Sequence, residues 1–336
     1  MTLGQGQDLA SSWLLPGKQA AICFTIDDVH PGRSFDAYEA GGDLGQGALG
    51  HVEWLCQRHP QLHVTLFVTP DWREISPFPT RKFLSSIPFL KNQLYLAKTL
   101  RAETMLLARH PEFVTYLKSL PRVDCALHGL HHINKGFKIM EEFGGRDRRE
   151  CQSMLKEALD LFEEVELRLS PGMCPPGWGL SDELAEAMIA VRLKFVASAR
   201  DLRTPITRDA VSAMSGRPGV SLIYPEWIMN HRLLHFATNF QATSTVDRAE
   251  QVIALNGLVA VKAHIVKEAF GHVALDGMDK AYRDYLHEVF CRLEDRFAES
   301  LWWTSMAQIT SRSLETEHDS MALCEEQERG DHGNPH

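Results

Sequence analysis

The chain contains no uninterrupted apolar run of the roughly 18 residues that a membrane-crossing helix needs, so no spanning segment is expected. Basic residues are also few: 35 Lys and Arg against 44 Asp and Glu leave a formal charge of −9. That balance excludes the basic stripe a nucleic-acid binder uses. The opening residues, MTLGQGQDLASSWLLPGKQ, lack a basic stretch followed by a long apolar one, so a secretory signal is not expected. Cysteine is scattered. The seven residues (Cys23, Cys56, Cys125, Cys151, Cys174, Cys291 and Cys324) form no C-x-x-C pair, which argues against a disulfide framework or a thiolate zinc site. It suits reduced thiols in a cytoplasmic protein. No internal repeat is present.

What is there is ordinary in amount and informative in order. With 44% hydrophobic and 24% charged residues the composition is that of a globular chain, not a collagen, a coiled coil or a disordered polymer. Short β-rich runs alternate with helical periods. Ala20–Ile26 reads as a buried strand ending in two aspartates, 47–59 as a helix, and 63–69 and 123–127 as further strands. The helix over 149–167 is the clearest, and Ser181 is placed to cap another that runs to about Val191. Strands are expected at 195–199, 220–224, 258–263 and 301–304, the last leading into a helix near 306–311. This alternation predicts an α/β fold with parallel pairing. Residues 71–120 read as a helical insertion, rich in Leu, Lys and Arg: an amphipathic lid or helices packed on the core, since residues this apolar usually find one, with a surface for a lipid-linked substrate, peripheral lipid contact or a partner as the rival reading. The acidic, aperiodic segment 313–336 reads as a disordered tail.

In parallel α/β folds reactive side chains gather at the C-terminal ends of the strands. The polar residues at those ends form a coherent set. The first strand ends in Asp27-Asp28 before Val29-His30-Pro31-Gly32, the second in Pro70-Asp71-Trp72, and the third in His128-Gly129-Leu130-His131-His132. The 258–263 strand ends in His264. His128 and His132, spaced i, i+4, suit one ion, and a carboxylate from another strand completes a three-ligand site with an open position. Such a donor set suits Zn²⁺, Fe²⁺, Co²⁺ or Ni²⁺. A neighbouring aspartate can take a proton from water, and a separate histidine can protonate a leaving group. His131, between the two ligand candidates, is expected to point elsewhere.

These motifs resemble those of the metal-dependent polysaccharide deacetylases, the chitin- and peptidoglycan-deacetylase-like carbohydrate esterases, over about Ala20–Ser311 excluding the insertion. The nearest likeness is to the branch without a secretory signal. Phe24-Thr25-Ile26-Asp27-Asp28 is similar to the family's T-F-D-D, His128–His132 to its H-x-x-x-H, and Val261-Lys262-Ala263-His264 to its L-x-x-H. The resemblance implies a distorted parallel (β/α) barrel of about seven strands over residues 1–312. It implies Asp27 as catalytic base, His264 as catalytic acid, and Asp28, His128 and His132 as ligands of one divalent ion, with zinc expected. Trp178, in Cys174-Pro175-Pro176-Gly177-Trp178-Gly179, would form one wall of the groove. His30, Asp71, Trp72 and Tyr224 are further candidate substrate contacts.

The implied activity is removal of an acetyl group from an N-acetylated sugar, whether nucleotide-linked, lipid-linked or soluble. One position departs from the family pattern. The arginine that pairs with the catalytic aspartate is Cys174 here, and Arg200 is the candidate to replace it. Two alternatives follow: a non-haem metal enzyme built on the same two histidines and one aspartate, or a metal- or glycan-binding relative without turnover.

Overall fold

The structure, a computed structural model, describes residues 13–33, 41–75, 99–133, 141–265 and 276–316, and the backbone alone at 268–269 and 272–273. The apolar centre of the insertion and the segment from 317 onward lie outside the described residues.

Among the described residues, seven parallel strands form the barrel wall: β1 (Ala20–Val29), β2 (Val64–Val68), β3 (Val123–Leu127), β4 (Leu169–Met173), β5 (Phe195–Arg200), β6 (Leu233–Thr238) and β7 (Leu258–His264), and the short strand Leu301–Trp303 pairs parallel with the start of β1. Their spatial order is β7-β1-β2-β3-β4-β5-β6. The two ends meet just past β6, where Phe240 bridges Val261 in parallel register and the Lys262 N–H donates to Phe240 O at 2.9 Å. The expected seven-stranded, distorted (β/α) barrel is therefore present, its last seam closed by one β-bridge and by hydrogen bonds from Asn239 and Phe240 to the β7 strand. Helices α1 (Ala48–Arg58), α2 (Pro111–Ser119), α3 (Arg148–Glu164), α4 (Asp182–Ala190), α5 (Val246–Ala254) and α6 (Lys280–Phe297) accompany the strands.

Period-two alternation divides the core. Ala20, Ile22, Phe24 and Ile26 of β1 pack outward among the helices, while Ala21 and Cys23 face a separate inner cluster with Phe67, Ala126, Cys174, Phe195, Ala197, Phe236 and Ala260. Alternating small and large residues fill the narrow lumen. Gly172 shows why: a Cβ there would lie 2.1 Å from the Phe195 ring.

The helices follow their sequence signals. Asp147 caps α3 in a reciprocal capping box with Glu150, worth about 1 kcal/mol. The Leu155 and Phe162 side chains of the same helix are fully buried, about 1.5–3 kcal/mol each. The Ser181 Oγ accepts from the Leu184 N–H at 3.1 Å, the expected cap of α4.

Two expectations are corrected. Residues 220–224 are not a barrel strand. Val220, Leu222 and Ile223 are buried, but they run across the foot of β7, where the Leu258 N–H donates to Ile223 O at 2.8 Å. The strand lies instead at Leu233–Thr238, whose pattern is broken by His235. That imidazole is buried and bonded to Ser198 Oγ at 3.0 Å, so it sits in a sheet that its polarity argued against. The second correction concerns the expected tail: the last helix runs over 306–316, past Ser313, where the tail was expected to begin. Within the expected insertion, α2 is a packed helix that places Phe113, Val114 and Leu117 in the main core. The six cysteines among the described residues are free thiols, and no described helix is long and apolar enough to cross a membrane.

Candidate active site

Adjacent residues of a regular strand point to opposite faces, yet Asp27 and Asp28 act on one site. The reason lies in the backbone. The β1–β2 register shifts between Ile26 and Val29, and Asp28 adopts a left-handed φ of 62°. This bulge folds the second aspartate back toward the lumen that the first faces by normal alternation. His132 (φ 55°) and Trp178 (φ 60°) share the left-handed conformation. Non-glycine residues held there concentrate at functional sites.

The loop after β3 is pinned in an equally specific way. Glu142 accepts from the Leu130 N–H at 3.0 Å and the His131 N–H at 2.7 Å. Gly129, at φ 73°, leaves room for that carboxylate, since a Cβ would stand 2.0 Å from Glu142 Oε2. The loop after β2 runs alongside, with the Asp71 and Arg73 N–H groups donating to Leu130 O and His131 O.

These supports bring three donors together. His128 Nε2 lies 2.6 Å and His132 Nε2 3.1 Å from the same Asp28 Oδ1. On the far side of each ring another acceptor waits. His128 Nδ1 is 2.6 Å from Cys174 O, and His132 Nδ1 is 2.8 Å from Glu74 Oε2. Each Nδ1 therefore carries the proton, and each Nε2 lone pair confronts a carboxylate oxygen. Only a proton or a cation relieves that confrontation. Burial opposes protonation of His132, but Asp28 and Glu74 outweigh it and hold its pKa well above the ordinary value. Asp28 is driven well below the usual carboxylate range, burial notwithstanding, by His132 and His128. Four carboxylates (Asp27, Asp28, Glu74, Asp276) and two cations (Lys262, Arg200) are linked to this donor set. Two imidazoles, each anchored through its outer nitrogen, plus a carboxylate are a donor set that fits zinc or a similar ion.

Asp27 stands beside this set with a different set of partners. Its Oδ2 accepts a hydrogen bond from the Lys262 ammonium and another from the Cys174 thiol at 3.2 Å. Its Oδ1 has no partner among the described residues. Burial would raise its pKa, but Lys262, His128 and His264 together hold it below the ordinary value. The expectation that Arg200 replaces the family's arginine is corrected here. Arg200 Nη1 reaches Asp276 Oδ2 at 3.3 Å and its guanidinium lies 4.3 Å over the Trp178 ring. The cation on Asp27 comes instead from Lys262, two residues before His264 on the same face of β7.

His264 pairs in register with Asp27 across β7 and β1. Its Nε2 is 3.7 Å from Asp28 Oδ2 and its Nδ1 2.9 Å from Asp276 Oδ2. Burial lowers its pKa, but Asp276 more than reverses this and the net shift is upward. Trp178 is half-buried and meets the His264 ring edge-on at 6.0 Å. A cavity of about 420 Å³ opens beside it, lined by Glu141, Gly177, Gly179 and Arg217 among others.

The other candidate contacts are placed differently. Trp72 is fully buried, stacked between His30 at 4.1 Å and His132 at 4.3 Å. His30 is itself buried, its Nδ1 accepting from the Gly32 N–H at 3.1 Å. Asp71 accepts from the Glu103 N–H at 3.0 Å and pairs with His131 at 3.2 Å. These three brace the ligand loop from beneath. Tyr224 is at the opposite end of β7, its hydroxyl donating to Leu255 O at 2.7 Å. His131, as expected, points away from the donor set.

Among known proteins, no family model matches the sequence, and no curated protein is detectably similar to it. Similarity appears in three dimensions. A crystal structure from Mycobacterium smegmatis, provisionally described as a polysaccharide deacetylase, superposes with a TM-score of 0.54, over 90% of this chain and 93% of that one, at 12% identity. The chain has the polysaccharide-deacetylase fold. Weaker likenesses run to a peptidoglycan deacetylase of Bacillus subtilis (TM-score 0.43, 12% identity, 92% of this chain and 98% of that one). Another runs to a 4-alpha-glucanotransferase of Thermococcus litoralis (TM-score 0.49, 11% identity, 88% and 40%).

Proposed function

We propose that the protein is a metal-dependent deacetylase that hydrolyses the acetamide of an N-acetylated sugar. The observation that carries this reading is the convergence of the Asp28, His128 and His132 donors between a buried carboxylate with a free oxygen, Asp27, and an imidazole with a raised pKa, His264. Asp28, His128 and His132 would hold a divalent ion, which would supply Lewis acidity toward the amide carbonyl and water.

The chain's own residues do the rest. Asp27 Oδ1 accepts a proton from the attacking water, while Lys262 and Cys174 hold Oδ2 and fix the plane of the carboxylate. His264, kept protonated by Asp276, delivers a proton from Nε2 to the nitrogen as the C–N bond breaks. Acetate and a free amine result. Trp178 and the cavity beside it offer an aromatic wall and room for a sugar ring. The Lys262 pair also weakens the alternative of a relative without turnover, because the cation missing at Cys174 is restored from the neighbouring strand. An N-acetylated amino sugar, nucleotide-linked, lipid-linked or soluble, is the substrate class we favour.

The test is acetate release from N-acetylglucosamine, its nucleotide conjugates and short chitin oligomers by metal-loaded protein. Activity should fall about 10²–10⁴-fold in Asp27→Asn. His128→Ala/His132→Ala should lose the ion held at the barrel site, and activity with it. Wild-type protein that holds an ion at Asp28, His128 and His132 yet releases acetate from none of these substrates would overturn the deacetylase reading. Oxygen consumption with iron bound would favour the non-haem alternative.

A further inference from the structure

A second convergence of donors lies outside the barrel, where the C-terminal end of α1 meets α6. His59 terminates α1, its N–H donating to Leu55 O at 2.9 Å. His287 and Cys291, spaced i, i+4, share one face of α6. His59 Nε2 is 2.9 Å from His287 Nδ1, and Cys291 Sγ is 3.7 Å from the same nitrogen. All three donor atoms lie within 4.8 Å of one another.

The orientation of His59 is the telling feature. Its Nδ1 lies 2.9 Å from Glu294 Oε1, so that nitrogen carries the proton and Nε2 turns its lone pair toward His287 and Cys291. Carboxylate, imidazole and then an Nε2 lone pair, here accepting from His287 Nδ1–H, is an arrangement that also orients histidine ligands of metal ions. His59 is buried at 1% side-chain exposure, with Phe290 edge-on at 5.3 Å and Trp54 against His287 at 5.1 Å. His287 and Cys291 are half-buried, which leaves a path for an ion to enter.

We propose that His59, His287 and Cys291 bind a borderline divalent ion of the zinc type, with Glu294 positioning His59 and the fourth position open to water. Two imidazoles and a thiolate are the donors such ions prefer. Bonds of about 2.0–2.1 Å to nitrogen and 2.3 Å to sulfur put tetrahedral donors about 3.4–3.6 Å apart. The two separations from His287 Nδ1, 2.9 and 3.7 Å, bracket that spacing, and His59 Nε2 and Cys291 Sγ lie within 4.8 Å of each other. The ion would tie residues 228 positions apart, joining the helix after β1 to the one that leads into the Leu301–Trp303 strand beside β1. A cross-link over so long a loop stabilises the fold whenever the ion is bound.

The test uses the full chain carrying His128→Ala and His132→Ala, so that the site within the barrel does not contribute, titrated with Co²⁺. About one ion per chain should bind, with the visible bands of tetrahedral cobalt and a near-ultraviolet sulfur-to-cobalt band. Cys291→Ser should abolish the sulfur band, and His287→Ala should weaken binding at least ten-fold, with circular dichroism unchanged. Cys174→Ser, inside the barrel, should leave the band intact. If the double-alanine background does not fold, the same comparison is made on the wild-type chain, where Cys291→Ser should remove one of two bound ions. Absence of the sulfur band, its survival in Cys291→Ser, or its loss in Cys174→Ser overturns the proposal. Failure here would leave the deacetylase reading untouched, since no residue is shared.

Discussion

Lys262→Met tests whether the cation on Asp27 is what keeps that carboxylate ionised inside the barrel. Lys262 is 1% exposed and Asp27 2%. Removing one member of so buried a pair leaves an uncompensated charge, at about 3–5 kcal/mol. The Cys174 thiol, 3.2 Å away, is a weak donor and offsets little of it. At about 1.4 °C per kcal/mol for a chain of this size, the melting temperature should drop by about 4–7 °C. Asp27→Asn alone should be comparably harmful, because it strands the ammonium. The double variant should be less unstable than the sum of the two by about 2–4 kcal/mol.

In Lys262→Met, burial raises the folded-state pKa of Asp27 above its unfolded value. The carboxyl then escapes the penalty by holding a proton at low pH, and the deficit grows as pH rises. Urea unfolding at pH 5 and pH 8, with a chelator present so that lost metal affinity does not enter, measures both effects. A loss below about 1 kcal/mol at pH 8, or additivity within about 0.5 kcal/mol, would refute the pairing.

Further outcomes are expected from the same geometry. Gly129→Ala places a Cβ 2.0 Å from Glu142 Oε2 at a φ of 73°, so it should destabilise by more than 1 kcal/mol and loosen the metal donors, read as a rise in the metal dissociation constant. Asp276→Asn removes the charge that keeps His264 protonated, so the basic limb of the rate–pH profile should move to lower pH while KM changes little. Burial pushes His235 down to about 3. The unfolded chain therefore binds one more proton between about pH 3 and 6.5, and stability should fall with decreasing pH by up to about 1.4 kcal/mol per unit across that window. His235→Leu should flatten that component of the slope, whereas an unchanged slope would show that His235 does not contribute it.

The strand ends that carry polar pairs were legible because β1, β3 and β7 are each an apolar run stopped by Asp or His. Lys262 was also legible in principle. A lysine within an otherwise apolar central strand has to find a buried partner, and its i, i−2 relation to His264 puts both on one face. Glu74 and Asp276 carry no such sign, since they stand in loops beyond the strands and reach the site only through tertiary packing. The bulge at Asp28 was hidden for a related reason, because a left-handed aspartate looks like any other in one dimension. The β6 strand was masked by His235, whose burial depends on Ser198 from a neighbouring strand. Arg200 and Trp72 were assigned by chain position, and both turned out to serve residues other than those expected.

The short β6–β7 seam has a mechanical corollary. Unbroken ladders join β7 to β1 and β2 to β3, and the β1–β2 ladder is interrupted only by the bulge at Asp28, whereas β4 pairs with its neighbours only briefly. The barrel is thus a stiff arc and a compliant arc hinged at two places. Asp27, Asp28, His128, His132, Lys262 and His264 all ride on the stiff arc, and the compliant one contributes Cys174, Trp178 and Arg200. Breathing of the ring can then widen or narrow the groove wall without changing the spacing of the proton-handling groups, so amide exchange at Phe240 and Lys262 should report groove opening while the chemistry keeps its dimensions.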